Sequence, residues 1–148
     1  MIGVIADDIV YSPQSYFLFK ALNELSVSND CYLFASSVQH LPMNNNFAIM
    51  QQLEALHHPG ILISTSMMNT QILAHSLTAS KKYYYMWSFE WCALKQFGAN
   101  QLDHIFHNDE INIIARSNTH ADKVAQLFKP TVGVAYNWNA KQIQKVLS

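Results

Sequence analysis

The chain has 148 residues, enough for one domain with a sizeable core. Half of them are hydrophobic, only 13% are charged and the net charge is −1, which leaves no basic footprint for nucleic acid and fewer charges than the roughly one quarter usual for a free-standing domain. No apolar run reaches the roughly 18 residues of a membrane span, and the N-terminus turns acidic without a basic start, so neither a membrane segment nor a signal peptide is expected and the protein reads as cytoplasmic.

Residues 2–6, Ile-Gly-Val-Ile-Ala, read as a short buried strand, with Asp7 and Asp8 directly after it. Ser12-Pro13 opens a helix, because serine caps an N-terminus and proline fits the first helical position. Tyr16, Phe17, Phe19, Leu22 and Leu25 carry that helix to about residue 26. Residues 31–35 form a second strand, and 37–46 are a loop. Residues 47–57 are a helical candidate, since Ile49, Met50, Leu53 and Leu56 recur at spacings of three and four. Pro59-Gly60 ends it, and residues 61–64 make a third strand. Asn69 or Thr70 is the expected cap of a helix running through Leu77.

Residues 82–87 are the fourth strand, a run of three tyrosines, Met86 and Trp87 without Gly or Pro. A strand apolar on both faces belongs in the interior of a covered parallel sheet, with Trp87 largely buried. Ser88 breaks the run, and Glu90 then stands between Phe89 and Trp91, just past the strand's C-terminal end. In open α/β sheets ligands bind at that edge. Glu90 is either a ligand-facing carboxylate or a solvated loop residue beside core aromatics.

Residues 92–100 read as a short helix or irregular segment ending at Gly98, and 102–107 are ambiguous. Residues 111–115 are a fifth strand. Ser117 or Asn118 caps a helix through Phe128, closed by Pro130, and residues 131–135 form a sixth strand. Asn139 starts a last helix to Leu147. Short apolar strands alternating with helices imply right-handed crossovers and a mostly parallel sheet. The expected fold is a Rossmann-like three-layer α/β/α sandwich, a single domain over residues 1–148.

Three loops carry candidate chemistry. In the first, Asp7, Asp8, Tyr11 and Ser12 lead into a helix N-terminus, where free N–H groups suit an anion. The glycine-rich dinucleotide fingerprint is missing, so no nicotinamide cofactor is expected. Asp7 or Asp8 can hold sugar hydroxyls, act as a general base, or simply punctuate the strand end. The second is the Glu90-Trp91 loop. In the third, Arg116, Ser117 and His120 lie within one turn of a helix start, as an anion or hydroxyl site or as a plain cap with a surface charge. Among seven histidines, His57 and His58 would diverge, and His104 and His107 could share a helix face without a second ligand pair, so no metal is expected. Cys31 and Cys92 have no metal spacing and read as buried thiols.

With these residues placed, the chain resembles the small, single-domain glycosyltransferase-like proteins of tailed phages, which are similar to the N-terminal half of two-domain GT-B glycosyltransferases. The matching stretches include Ser12-Pro13-Gln14-Ser15, residues 47–57, residues 59–65, Tyr85-Met86-Trp87-Ser88-Phe89-Glu90-Trp91 and Ile114-Ala115-Arg116-Ser117-Asn118-Thr119-His120-Ala121. Where Ser88 stands, that family usually carries an aspartate. The resemblance implies a GT-B-like half, metal-independent sugar transfer and a host-cytoplasmic location. It also implies that a homodimer or a partner protein completes the cleft, since the second domain of such enzymes holds most of the nucleotide-sugar.

Two functions follow as expectations. One is transfer of a sugar from a nucleotide-sugar to an unknown acceptor, with Glu90 or Asp8 as general base and Arg116 with Ser117 offsetting diphosphate charge. The other is a non-catalytic module that binds a sugar, a nucleotide or a protein. Few charges over an apolar-rich chain point to self-association.

Overall fold

Strand β1 (Ile2–Ala6) is buried at all five positions, as a strand covered on both faces must be. It pairs in parallel with β2 (Cys31–Ala35) on one side and β4 (Ile61–Ser64) on the other. Gly3 permits this close packing, because a Cβ there would lie 2.8 Å from both Leu62 Cδ2 and Phe34 Cε2. The computed structural model, which describes residues 1–93, 103 and 105–148, adds β3 (Ala48–Gln51), β5 (Lys81–Met86), β6 (Ile111–Ala115) and β7 (Gly133–Val134). All pairings are parallel, and the strand order is β3-β2-β1-β4-β5-β6-β7. The fold is Rossmann-like, with the order familiar from doubly wound nucleotide-binding sheets.

Helices α1 (Pro13–Leu25) and α5 (Ala140–Leu147) cover one face, packing Leu18, Leu22 and Ile143 against Val4, Leu33 and Tyr85. Helices α2 (Met67–His75) and α4 (Asn118–Leu127) cover the other, packing Leu73 and Val124 with Ile5, Tyr84 and Ile113. The tyrosines of β5 therefore alternate between two cores, as a period-2 backbone requires. Strand β5 is interior, next to the middle strand β4, and a short helix, α3 (Glu90–Ala93), follows it. No helix among the described residues is long and apolar enough to cross a membrane.

Several local expectations change. Residues 47–57 are not a helix. Ala48–Gln51 pairs with β2, Leu33 opposite Ile49, and a 3-10 segment, Gln52–His57, follows. Edge pairing with β2 outweighs the apolar spacing, which a half-buried strand also satisfies. Helix α2 begins at Met67 under Ser66, whose Oγ accepts from Asn69 N–H, and stops at His75, so neither Asn69 nor Thr70 is the cap. The sheet has seven strands instead of six because β3 is one of them, and β5 ends at Met86, leaving Trp87 half-buried beyond it. Cys31 is buried, its thiol pushed up to about 11 by burial, but Cys92 is exposed. The expected segment ending at Gly98 runs into residues 94–102, and His104 also lies outside the described residues.

His58 sits at the opposite, N-terminal edge. It is 6% exposed, edge-on to Tyr32 and Phe34, and its Nε2 has no partner among the described residues. Burial, helped by the chain's N-terminal ammonium, holds its pKa below the usual value of 6.5. The unfolded chain therefore binds more protons below that value, so this contribution to stability is full above about pH 6.5 and is lost as the pH falls. His58→Phe should flatten the fall in denaturant midpoint between about pH 7.5 and 5.5 relative to the parent. Parallel curves for the two proteins would contradict this account of His58.

Candidate functional site

The loops after β1, β4, β5 and β6 all leave the sheet at one edge because every strand is parallel. The helices that follow β1 and β4 go to opposite faces, so a crevice opens between these two loops. Asp7 and Asp8 are exposed there, and Asp8 Oδ1 accepts from Ser37 Oγ at 2.8 Å. Ser12 caps α1, its Oγ accepting from Ser15 N–H at 3.1 Å. Tyr11 is 84% exposed beside it. A cavity of ≈ 120 Å³ lies under the loop, lined by Asp7, Asp8, Ser12, Ser15 and Thr65 among others.

Glu90 is neither a free base nor a solvated loop residue. Its Oε2 accepts from Met67 N–H, the first helical residue of α2, at 2.9 Å. Its Oε1 accepts from the hydroxyl of the fully buried Tyr84, also at 2.9 Å. The carboxylate thus closes a helix N-terminus with favourable charge and satisfies a core phenol. Burial raises its pKa, against the two hydrogen bonds that lower it, and nearby Asp7 raises it further.

The flanking aromatics divide. Phe89 stacks on His120 at 4.5 Å, and Trp91 meets Phe106 and Phe128 edge-on at 5.3 and 5.5 Å. Trp91 is thereby a core cover. On the other side Trp87 lies under Arg116, whose guanidinium carbon is 3.8 Å from the ring centroid.

In the loop after β6 the expected cap is present. Ser117 caps α4, accepting from His120 N–H at 3.3 Å, and its Oγ lies 2.7 Å from His120 Nδ1. Burial, then the nearby Arg116 charge, holds His120 below its usual pKa. Arg116 Nε donates to Asn137 Oδ1 at 2.8 Å. Asn137 and Trp138 both have positive φ, 44° and 58°, a conformation that is rare for a tryptophan. Tyr85 holds this turn: its hydroxyl donates to Ala135 O at 2.6 Å and accepts from Trp138 N–H at 3.0 Å, while its ring stacks on Trp138.

The residues named from sequence fall into two groups. Asp7, Asp8, Tyr11 and Ser12 belong to the crevice beside β1. Arg116, Ser117 and His120 gather with Trp87 and Phe89 beyond β5 and β6. Glu90 links the second group to α2. Sequence reading missed Thr65 and Asn137. The hydroxyl run Ser64-Thr65-Ser66 at a strand end was a usable signal; a turn with positive φ at Asn137 had none. Among the described residues no group of three or more His, Cys, Asp or Glu side chains gathers as a metal site. No family model, no curated protein and no solved structure matches the chain.

Two substitutions test this wiring. Glu90→Ala leaves the buried Tyr84 hydroxyl and the Met67 N–H unpartnered and should cost about 1–3 kcal/mol in denaturant unfolding. A loss near zero would return Glu90 to the role of a free carboxylate. Tyr85→Phe strips both hydrogen bonds from the 135–138 turn and should cost about 2 kcal/mol. An unchanged midpoint would show that the turn holds itself.

Proposed function

We propose that this chain is a glycosyltransferase-like domain that binds a nucleotide-sugar and brings it to an acceptor at the C-terminal edge of the sheet. The observation that carries the reading is the strand order, which places a crevice between the loops after β1 and β4 and puts Asp7, Asp8, Arg116, Ser117 and His120 on its rim side of the sheet. Arg116, held by Trp87 and Asn137, is the group suited to a diphosphate. Asp8 is the better general base of the two carboxylates considered, since it is exposed with one hydrogen-bond partner among the described residues, whereas both oxygens of Glu90 are engaged. A second copy or another protein supplies the facing wall of the cleft.

The engagement of Glu90 also favours a second reading, in which the domain binds such ligands without transfer. Calorimetric titration with a panel of nucleotide-sugars, followed by assay for released nucleotide, separates the two. Arg116→Ala should weaken nucleotide-sugar binding by about tenfold or more while shifting the unfolding midpoint little, as the loss of one charge-assisted contact does. Equal binding by parent and Arg116→Ala, or no binding by the parent at millimolar ligand, would end the nucleotide-sugar reading. Binding without nucleotide release, with Asp8→Asn behaving as the parent, would select the non-catalytic module.

A further inference from the structure

The cavity under the loop after β1 has a chemistry of its own. Its volume is ≈ 120 Å³. That is room for several waters or a small polyol. Two of its side chains are more than nine-tenths buried and carry unspent hydrogen-bonding groups. Thr65 is 4% exposed, and its hydroxyl has no partner among the described residues. Thr65 lines this cavity. Ser15 is 7% exposed; its Oγ accepts from Ser12 Oγ at 3.1 Å, and its own O–H has no acceptor among the described residues. Asp7 and Asp8 line the same cavity.

The charge decides between ligands. A helix N-terminus ordinarily suits an anion. Here Pro13 has no N–H to offer, and Ser12 Oγ already takes the N–H of Ser15. Among the described residues no Lys or Arg lines the cavity, whereas Asp7 and Asp8 do. An anion would be repelled. A neutral hydroxyl pair fits both sides, donating to carboxylate and accepting from Ser15 and Thr65.

We infer that this cavity is a subsite for a neutral vicinal diol, with Asp7 and Asp8 accepting from its hydroxyls and Ser15 and Thr65 donating to its oxygens. Two adjacent hydroxyls then meet two carboxylates and two hydroxyl donors. The residue that sets specificity is Thr65, because it is the most buried of the four and comes from the far wall, at the end of β4. Calling this diol the acceptor rests on the transferase reading; its binding does not.

The test is an NMR titration of the ¹⁵N-labelled whole chain with glycerol, with methyl α-mannopyranoside and, separately, with inorganic phosphate. The Ser15 and Thr65 amides should shift saturably with both polyols at millimolar concentration and stay still with phosphate. Thr65→Val should weaken the mannoside at least about tenfold, the effect of losing one buried hydrogen bond. Should that variant not fold, Ser15→Ala and Asp8→Asn give the same reading from the other walls. Shifts that rise linearly without saturation, a response to phosphate in place of the polyols, or unchanged affinity in the variants would overturn the subsite. Saturable polyol shifts in a protein that binds no nucleotide-sugar would leave the subsite standing and remove the transferase reading; the converse would remove the subsite alone.

Discussion

Two adjacent phenols must be satisfied inside the protein. Tyr84 and Tyr85 are both fully buried, and β pleating sends them to opposite faces of the sheet. A buried hydroxyl without a partner costs a kilocalorie or more, so each ring has to find a partner near the C-terminal edge. Tyr84 finds Glu90, and through it the start of α2. Tyr85 finds the turn after β7. One strand thereby ties down the loops that follow β4, β5 and β7. The edge where chemistry is expected is thus fixed from within the core, without a disulfide and with few ion pairs among the described residues.

The alternation of short apolar runs with capped helices was enough to give an α/β fold with a covered parallel sheet. Three of the four long helices begin where the sequence places them, because Ser12, Ser117 and Asn139 each accept the N–H three residues on. What one-dimensional patterns lack is the neighbour. Residues 48–51 have a spacing compatible with a helix and become a strand because β2 offers an unpaired edge. Asn69 has the chemistry of a cap, yet Ser66 performs that task and Asn69 Oδ1 accepts instead from Gln52. Glu90 was legible as a special carboxylate between aromatics. Its partners were not, since they come from residues 67 and 84, and the latter reaches it only through the pleat of β5. Thr65 was hidden for a related reason: strand order decides that the ends of β1 and β4 flank a crevice, and alternation alone does not give strand order.

The helix starts along this edge share one device, and it limits what they can bind. Ser12, Ser66 and Ser117 each use Oγ to take up the N–H of the third residue. At α2 the Glu90 carboxylate takes a further N–H. Each capped N–H is one fewer for a phosphate, so these N-termini are weaker anion sites than the glycine-rich turns of dinucleotide-binding sheets. The electrostatics then separate along the edge. The β1 side carries Asp7 and Asp8, and the β6 side carries Arg116 beside His120. The proposed ligand, with a sugar at one end and a phosphate at the other, is chosen for that polarity.

The position of Arg116 shows how backbone strain and binding connect. An arginine free in solvent loses about 2 kcal/mol of side-chain freedom when a ligand fixes it. Here Trp87 supports the guanidinium plane and Asn137 fixes Nε, so much of that ordering is complete before any ligand arrives. Asn137 can reach Nε because the chain turns through two consecutive residues of positive φ. For asparagine that conformation is common; for Trp138 it costs on the order of 1–3 kcal/mol. The Tyr85 hydroxyl and the stacked Tyr85 and Trp138 rings, 4.0 Å apart, offset that cost. Trp87, partly buried and packed against the core at the end of the apolar run, belongs to the same arrangement. It stands just past the end of β5, where one side of its ring can pack on the core while Arg116 lies over it.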